Sequence, residues 1–420
     1  MKKYDNYKPS GIEWLGEVPE HWKLRRVKDL SLYTKGKNPN DLVFEKKEGS
    51  LPYLSMEYLR GVIKFVLYAD VEDSLVVVDD DEILLLWDGS NAGEFIKSKK
   101  GILASTCAVL NKIANFQKQW YYYYLKSSEP HLKGMTKGMG IPHVDGDLFR
   151  SFELFLPPFD EQTTIAKYLD EKTANIDRRI ELIKQKIEKY KELRRSLISQ
   201  VVTRGLNPNV KLKPSGIEWL GDIPEHWKIK RVKEIGTVVC GATPKDIEQN
   251  WDGNINWISP ADMDDFGEIS KGERTLTEKG YNSCGTTLVP QGTIVMSTRA
   301  PIGKTNIAVK ELCTNQGCKC VVSNTIHSRF LLYLLWSNNT KFQALGRGTT
   351  FFELSTRDLS LFKLFIPPLD EQTAIAKYLD EKTAQIDKIV EKSEKQIEQL
   401  IELRKTLIAQ VVTGKIKVTD

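Results

Sequence analysis

Residues 160–202 read DEQTTIAKYLDEKTANIDRRIELIKQKIEKYKELRRSLISQVV, and residues 370–412 return nearly the same text, DEQTAIAKYLDEKTAQIDKIVEKSEKQIEQLIELRKTLIAQVV. Isoleucines and their equivalents fall at 176, 180, 183, 187 and 190, then at 197 and 201; Ile386, Val390, Ile397, Leu400, Leu407 and Val411 stand at matching places in the second copy. This four–three spacing draws one narrow apolar seam along a helix, while Lys, Glu, Arg and Gln cover the other faces. At about 1.5 Å rise per residue each stretch makes a rod of roughly 65 Å. A rod with such a seam must bury it, and the other copy is the obvious partner. Ile176, Ile180, Ile183, Ile187, Ile386, Val390, Ile397 and Leu400 are therefore the candidate pairing residues. Arg194 and Arg404 stand at the same seam position, where an apolar residue is due. The seam is expected to shift or open there, or the arginines to snorkel.

The duplication extends outward from these stretches. KPSGIEWLGEVPEHWKLRRVKDL at 8–30 recurs as KPSGIEWLGDIPEHWKIKRVKEI at 213–235, and PPFDEQTTIAKYLDEKTANID at 157–177 recurs as PPLDEQTAIAKYLDEKTAQID at 367–387. A repeat of about 200 residues is far too long for a solenoid, so a whole domain has been duplicated. Between the near-identical frames, residues 31–156 and 236–366 have diverged almost beyond recognition. Faint matches survive, such as 79–94 with 288–304 and 120–128 with 330–338, so one fold underlies both inserts. The predicted class is α+β: two pseudo-twofold-related mixed α/β domains joined by two long antiparallel helices forming a coiled-coil spacer. The expected boundaries are 1–159 and 206–369 for the domains, and 160–205 and 370–414 for the helices.

The inserts hold short β-like runs, among them Leu75–Val78, Ile83–Trp87 and Thr293–Ser297, broken by Gly, Pro, Asn and Asp. Each closes with a short helix, about 118–127 and 328–338, and a last strand stopped by a Pro-Pro pair. Asp160 and Asp370 are the expected N-caps, with Glu161 and Glu371 favouring the positive end of the helix dipole. The terminal GKIKVTD stops where the linker of the first repeat would lead into the opening motif, so the two ends of the chain should lie together.

Composition is that of a soluble globular protein, with 40% hydrophobic and 28% charged residues among 420. No apolar run approaches the ~20 residues needed to cross a bilayer. The basic opening MKKYDNYKPSGIEW has no apolar core, so no signal peptide is read. Six cysteines, five of them in the second half, suggest reduced thiols in a cytoplasm. The net charge of +5 is compatible with nucleic acid. The inserts themselves are balanced, with 15 basic against 17 acidic residues in 31–156 and 13 against 12 in 236–366, so contacts there need local basic patches.

Catalytic motifs are missing. Pro157-Pro158-Phe159 looks like the PP-aromatic element of adenine-N6 methyltransferases, but Leu156 and Ile366 occupy the place of the polar residue that must hold the amino group. Gly303-Lys304-Thr305 resembles the end of a phosphate loop, yet Thr298 stands where its first glycine belongs. Cys313, Cys318 and Cys320 lack zinc spacing and read as buried strand thiols. His21 and His226 lie in the frame beside Trp22 and Trp227 and read as packing residues. The run Trp120–Tyr124 reads as one side of a packed helix rather than a base-stacking platform. Polar and basic residues in loop-like settings are better candidates for DNA contact. In the first insert these are Ser90, Asn91, Lys97, Lys99, Lys100, Lys133 and Lys137. In the second they are Ser297, Thr298, Arg299, Lys304 and Arg347. Arg and Lys suit guanine, Asn suits adenine, and Lys also holds phosphates.

The twice-repeated PSGIEWLGxxPEHWxxxRVK, the twice-repeated PPxDEQTxIAKYLDEKTAxID and the two divergent regions resemble the specificity (S) subunit of type I restriction–modification enzymes, over nearly the whole length. The resemblance implies that the inserts are target recognition domains, each reading one half of a split, asymmetric double-stranded DNA site. It implies a non-catalytic chain whose helices dock two methyltransferase subunits, with motor-nuclease subunits joining them. S-adenosylmethionine, ATP and Mg belong, on that resemblance, to the partner subunits. A coiled-coil scaffold with two protein-binding domains is the competing reading, and an enzyme with a site hidden in the inserts is a third.

Overall fold

The computed structural model describes residues 2–134, 136–138, 140–217, 221–299, 301–347 and 352–418. Chain packing divides it into two compact units, one formed by Met1–Ile183 with Lys395–Asp420 and the other by Lys184–Glu394.

In the first unit four strands lie in the order Ser31–Lys35, Cys107–Lys112, Ile83–Leu86, Phe95–Lys97, all neighbours antiparallel. A second sheet orders Tyr68–Ala69, Leu51–Leu54, Gly101–Leu103 and Val77–Val78, with the central pair parallel. The repeated frame contributes its own ladder, Lys23–Arg26 against Glu153–Leu156. The helix Lys118–Lys133 buries Trp120, Tyr121, Tyr123 and Tyr124, which places the aromatic run in the core. It runs six residues past the expected end, because Pro130 sits inside its last turns and does not stop it. Trp14 of the frame stacks on the His131 ring at 4.3 Å. Its counterpart Trp219, with Glu218 and Leu220, lies outside the described residues.

The second unit repeats the plan. Its main sheet orders Thr237–Cys240, Cys318–Val322, Ile294–Ser297, Thr305–Ala308 and Phe266–Ile269. Three further strands, Thr275–Leu276, Trp251–Ile258 and Cys313–Thr314, form a side sheet, and Lys228–Arg231 pairs with Lys363–Ile366. The expected helix at 328–338 is found as Ser328–Ser337, and a further helix, Asn339–Leu345, follows after Asn338.

The long helices span Phe159–Arg204 and Leu369–Val412. Each starts one residue before the expected cap: the Gln162 amide donates to Pro158 O at 2.9 Å and the Gln372 amide to Pro368 O at 3.0 Å. Asp160 and Asp370 therefore lie within the first turn instead of capping it. The glutamine side chains reach back as well, to Pro157 O at 2.8 Å and Pro367 O at 2.9 Å. Behind them, Glu161 accepts from Trp22 Nε1 at 3.2 Å, lies 2.8 Å from His21 Nε2 and accepts from the Tyr4 hydroxyl. Burial, followed by that carboxylate, raises the Tyr4 hydroxyl above its ordinary pKa. Glu371 repeats the arrangement with Trp227 Nε1 at 3.1 Å and His226 Nε2 at 2.8 Å. His21 and His226 thus fasten frame to helix.

Within the first unit the two helices run antiparallel. Ile165 and Leu169 share a core with Val411 and Val412, and Ile176, Ile180 and Leu400 cluster with Ile183, Ile397 and Leu407. Arg404 Nε meets Asp177 at 3.0 Å, so an interhelical ion pair fills the seam position. In the second unit Ile198, Val201 and Val202 join Ile375, Ala376 and Leu379 in the core around Trp227, and Ile187 and Ile386 are buried. There Arg194 pairs with Asp387 at 3.1 Å and lies over the Phe266 ring at 4.8 Å. Each long helix therefore contributes residues to the cores of both units. The ends of the chain do meet: Lys2 bridges Lys417, and the Tyr7 hydroxyl donates to Gly414 O at 3.1 Å. Among the described residues no helix is long and apolar enough to cross a membrane, and no cluster of His, Cys, Asp and Glu could hold a metal ion.

Cys107, Cys313, Cys318 and Cys320 are buried, whereas Cys240 is exposed and Cys284 half-buried. Burial pushes the Cys107 and Cys313 thiols up to about 11 and the Cys320 thiol up to about 12. Iodoacetamide at mildly alkaline pH is expected to alkylate Cys240 first and Cys284 next, sparing the other four until the chain unfolds, as peptide mass spectrometry would report. Replacing Glu161 by Leu strands buried donors on Tyr4 and Trp22, and should cost on the order of 3 kcal/mol in urea unfolding of the full chain. Glu371→Leu should cost less, because that carboxylate is more exposed, and Glu171→Leu on the exposed helix face should change little.

Candidate nucleic-acid interface

In the first unit the buried strand Ile83–Leu86 leads into Trp87, Asp88 and a loop that turns at Gly89 and Gly93, with φ of 106° and 88°. A second loop lies against it. Lys137 and His143 exchange backbone hydrogen bonds of 2.8 and 2.9 Å, His143 bridges Asp88, and the Val144 amide donates to Trp87 O at 2.9 Å.

The second unit has the same construction with other residues. The buried strand Ile294–Ser297 leads into Thr298 and Arg299, and the loop turns back at Gly303, φ 107°. Arg347 and Glu353 exchange backbone hydrogen bonds of 3.0 Å, Glu353 bridges Arg299, and the Leu354 amide donates to Thr298 O at 2.9 Å. The bridged trio 88, 143, 137 thus corresponds to 299, 353, 347. In each unit two loops are joined into one platform by the same backbone hydrogen bonds, although the side chains on them differ.

The side chains differ. In the first unit Ser90, Lys133 and Lys137 are exposed and Asn91 half-buried. The Lys133 amide lies against Gly93, where an added Cβ would come within 3.2 Å. Lys137 pairs with Asp145, whose carboxyl that lysine, with the amides of the helix it caps, lowers to about 2. Lys35 reaches Asp88 at 3.1 Å and lies over the Trp87 ring at 5.3 Å. Lys97 is placed elsewhere, opposite Ile83 at the far end of the hairpin, and pairs with Asp81 at 2.6 Å. Lys100 pairs with Asp79 at 3.3 Å, and Lys99 lies over the Tyr58 ring at 4.7 Å. Lys97 and Lys100 thus pair with the acidic run 79–82 and Lys99 packs on Tyr58, and none of the three takes part in the bridges of the platform.

In the second unit the loop-like reading of Ser297 and Thr298 is corrected: both are 0% exposed. Ser297 ends a buried strand, and its hydroxyl donates to Pro301 O at 2.6 Å and accepts from the Lys304 amide at 3.0 Å. Thr298 donates to Gly317 O at 3.2 Å. Both hold the loop from beneath. The Lys304 ammonium donates to Pro260 O at 3.0 Å and Met263 O at 2.6 Å, tying the loop to the neighbouring chain. Arg347 is exposed, and Arg299 is half-buried with Nε 2.9 Å from Glu353 Oε2. The other oxygen of Glu353 accepts from Lys319 Nζ at 2.8 Å, and that ammonium also donates to Thr298 Oγ1 at 3.1 Å. Burial opposes ionisation of Glu353, but the bonds from Lys319 and Arg299 outweigh it and hold the carboxyl below its ordinary range.

Sequence reasoning missed Lys35, Lys319 and Glu353. A lysine between two cysteines in the apolar run CKCVV was the available signal for Lys319.

Comparison with known proteins fits this geometry. The profile of the type I restriction modification DNA specificity domain matches twice, over residues 19–192 and 224–399. The MjaVIII type I specificity subunit of Methanocaldococcus jannaschii is 35% identical over 418 residues, covering 96% of this chain and 95% of that one. The StySPI specificity subunit of Salmonella potsdam is 22% identical over 96% of this chain and 90% of its own. Two solved structures share the fold. A chain from a study of complex assembly and conformational transition of the type I R-M system gives a TM-score of 0.74 at 17% identity, covering 95% of this chain and 99% of that one. The HsdS subunit of Thermoanaerobacter tengcongensis gives 0.53 at 16% identity, covering 95% and 98%. A domain profile matched once per repeat, and a relative more than one-third identical from end to end, place this chain in the family of type I restriction–modification DNA specificity subunits, which are non-catalytic.

Proposed function

We propose that the chain reads a bipartite, asymmetric double-stranded DNA site, one half per recognition unit, and directs adenine methylation and restriction carried out by partner subunits. The carrying observation is the platform built twice on one backbone plan with different side chains. A conserved plan positions the readers, and changed side chains let the halves differ. In this reading the two methyltransferase subunits dock on the helical frame, motor-nuclease subunits join them, and S-adenosylmethionine, ATP and Mg serve those partners in the cytoplasm. Ser90, Asn91, Arg299 and Arg347 face bases or their sugar–phosphate edges. Lys133 and Lys137 hold phosphates beside the first platform, and Lys97, Lys99 and Lys100 follow the backbone further out. Lys304, Ser297 and Thr298 support the second loop. In this reading the two long helices, of 46 and 44 residues, serve as the ruler that sets the gap between the half-sites.

Three outcomes are expected. Adding one heptad to each long helix should lengthen the gap by about three base pairs (about 10 Å of helix at 3.4 Å per pair) without altering either half-sequence. Mapping of methylated adenines in cells carrying the complete system reads this directly, and an unchanged gap would refute the ruler. Exchanging residues 236–366 for another insert should alter one half only. Replacing Lys133 or Lys137 by Ala should weaken duplex binding alike for all sequences and lower the salt dependence by about one unit of slope each, measured by titration of the assembled complex at several salt concentrations. Binding indifferent to sequence and salt would favour a protein scaffold instead.

A further inference from the structure

Asp88 and Arg299 occupy the same place in their platforms, directly after the buried strand and bridged to the second loop. One is an anion and the other a cation, and the groups around them change in concert. In the first unit the counter-ion is Lys35, from the edge strand, at 3.1 Å from Asp88; Lys35 lies across the ladder from Ala108. In the second unit Cys240 holds the place of Lys35, and Lys319 stands where Ala108 does. The amine has moved one strand over, and Glu353 has replaced His143 to link Lys319 with Arg299. The backbone hydrogen bonds beneath are the same in both units, Val144 to Trp87 and Leu354 to Thr298. Lys319, at 4% exposure, needs Glu353 as a counter-ion, whereas the Asp88–Lys35 and Arg299–Glu353 pairs are half-exposed and add little to the fold. What those two pairs do is hold one charge in one direction at the edge of each platform.

We propose that Asp88 and Arg299 are the matching base-reading residues of the two units, and that their opposite charge makes the half-sites opposite in chemistry there. Arg299 takes a guanine, whose O6 and N7 both accept in the major groove. Asp88 takes an exocyclic amino group, that of cytosine or adenine. Glu353 and Lys35 are positioning residues that aim the reader and touch no base. The proposal rests on the bipartite reading above.

The test uses the assembled complex. Methylated-adenine mapping first gives the wild-type site. If that site is not bipartite, the parent reading fails and this proposal with it. If it is, Arg299→Gln should relax discrimination about ten- to a hundredfold at one guanine of one half-site and leave the other half intact. Asp88→Asn should do so at one cytosine or adenine of the other half. Glu353→Gln should weaken the same guanine preference, and Glu353→Asp should restore part of it. As a measurement needing no variant, 7-deazaguanine placed at each guanine of that half-site should weaken wild-type binding strongly at one position. Unchanged discrimination in both variants, a loss equal for all sequences, or indifference to every 7-deazaguanine would overturn the proposal and leave the bipartite reading standing.

Discussion

A carboxylate in the first turn of each long helix receives the indole and imidazole of the PEHW turn. Glu161 and Glu371 do this within a few ångströms of two prolines that fix the approach of the chain. The last strand of each insert, the opening motif of each repeat and the start of each helix are thereby joined at one point. The backbone bonds of Gln162 and Gln372 complete the joint. Everything variable hangs between this joint and the ladder beside it, so the insert can change its surface while its two ends stay in place. That physical demand explains why the frames have stayed nearly identical while the inserts have not.

The helices and the duplication were legible because their signal is periodic and local. A four–three seam gives a face whatever it packs against, and two near-identical copies announce each other. Helix ends were less legible. The expected end near 127 is overrun, because a proline within a packed helix gives up one hydrogen bond and the helix continues to Lys133. Asp160 has the side chain of a cap but follows Pro158, whose carbonyl already accepts the first helical bond. The candidate site was half legible. Its loops were legible: Ser90, Asn91, Lys137, Arg299 and Arg347 fall on them, because polar and basic residues between β-like runs mark loops. Depth within them was not: Ser297 and Thr298 have the composition of a surface and lie under it. Lys319 finds Glu353 through tertiary structure, 34 residues away, and no local pattern encodes that pairing.

The two platforms also show what divergence preserves. Carbonyl and amide partners recur position by position, whereas charges invert or move to the next strand. Backbone bonds do not depend on side-chain identity, so they persist while the surface above them is rewritten. Buried polar groups that accompany a rewritten surface must then be satisfied anew, which accounts for an ammonium as enclosed as that of Lys319.

Ile408, Val411 and Val412, near the end of the chain, lie in the same core as Val18, Trp22 and Leu30 near its beginning. During synthesis the first unit therefore emerges without one wall of its interior, and its Trp22, which lies beside Gly414, can be fully enclosed only after the last helix has left the ribosome. Contacts that span nearly the whole sequence are entropically slow to close. Nascent chains of this protein must hold a partly open aromatic interior for the time needed to make the second unit, at a rate of about 5–20 residues per second. Order of synthesis, rather than strength of any one contact, then governs how long the chain is vulnerable to aggregation and to proteases.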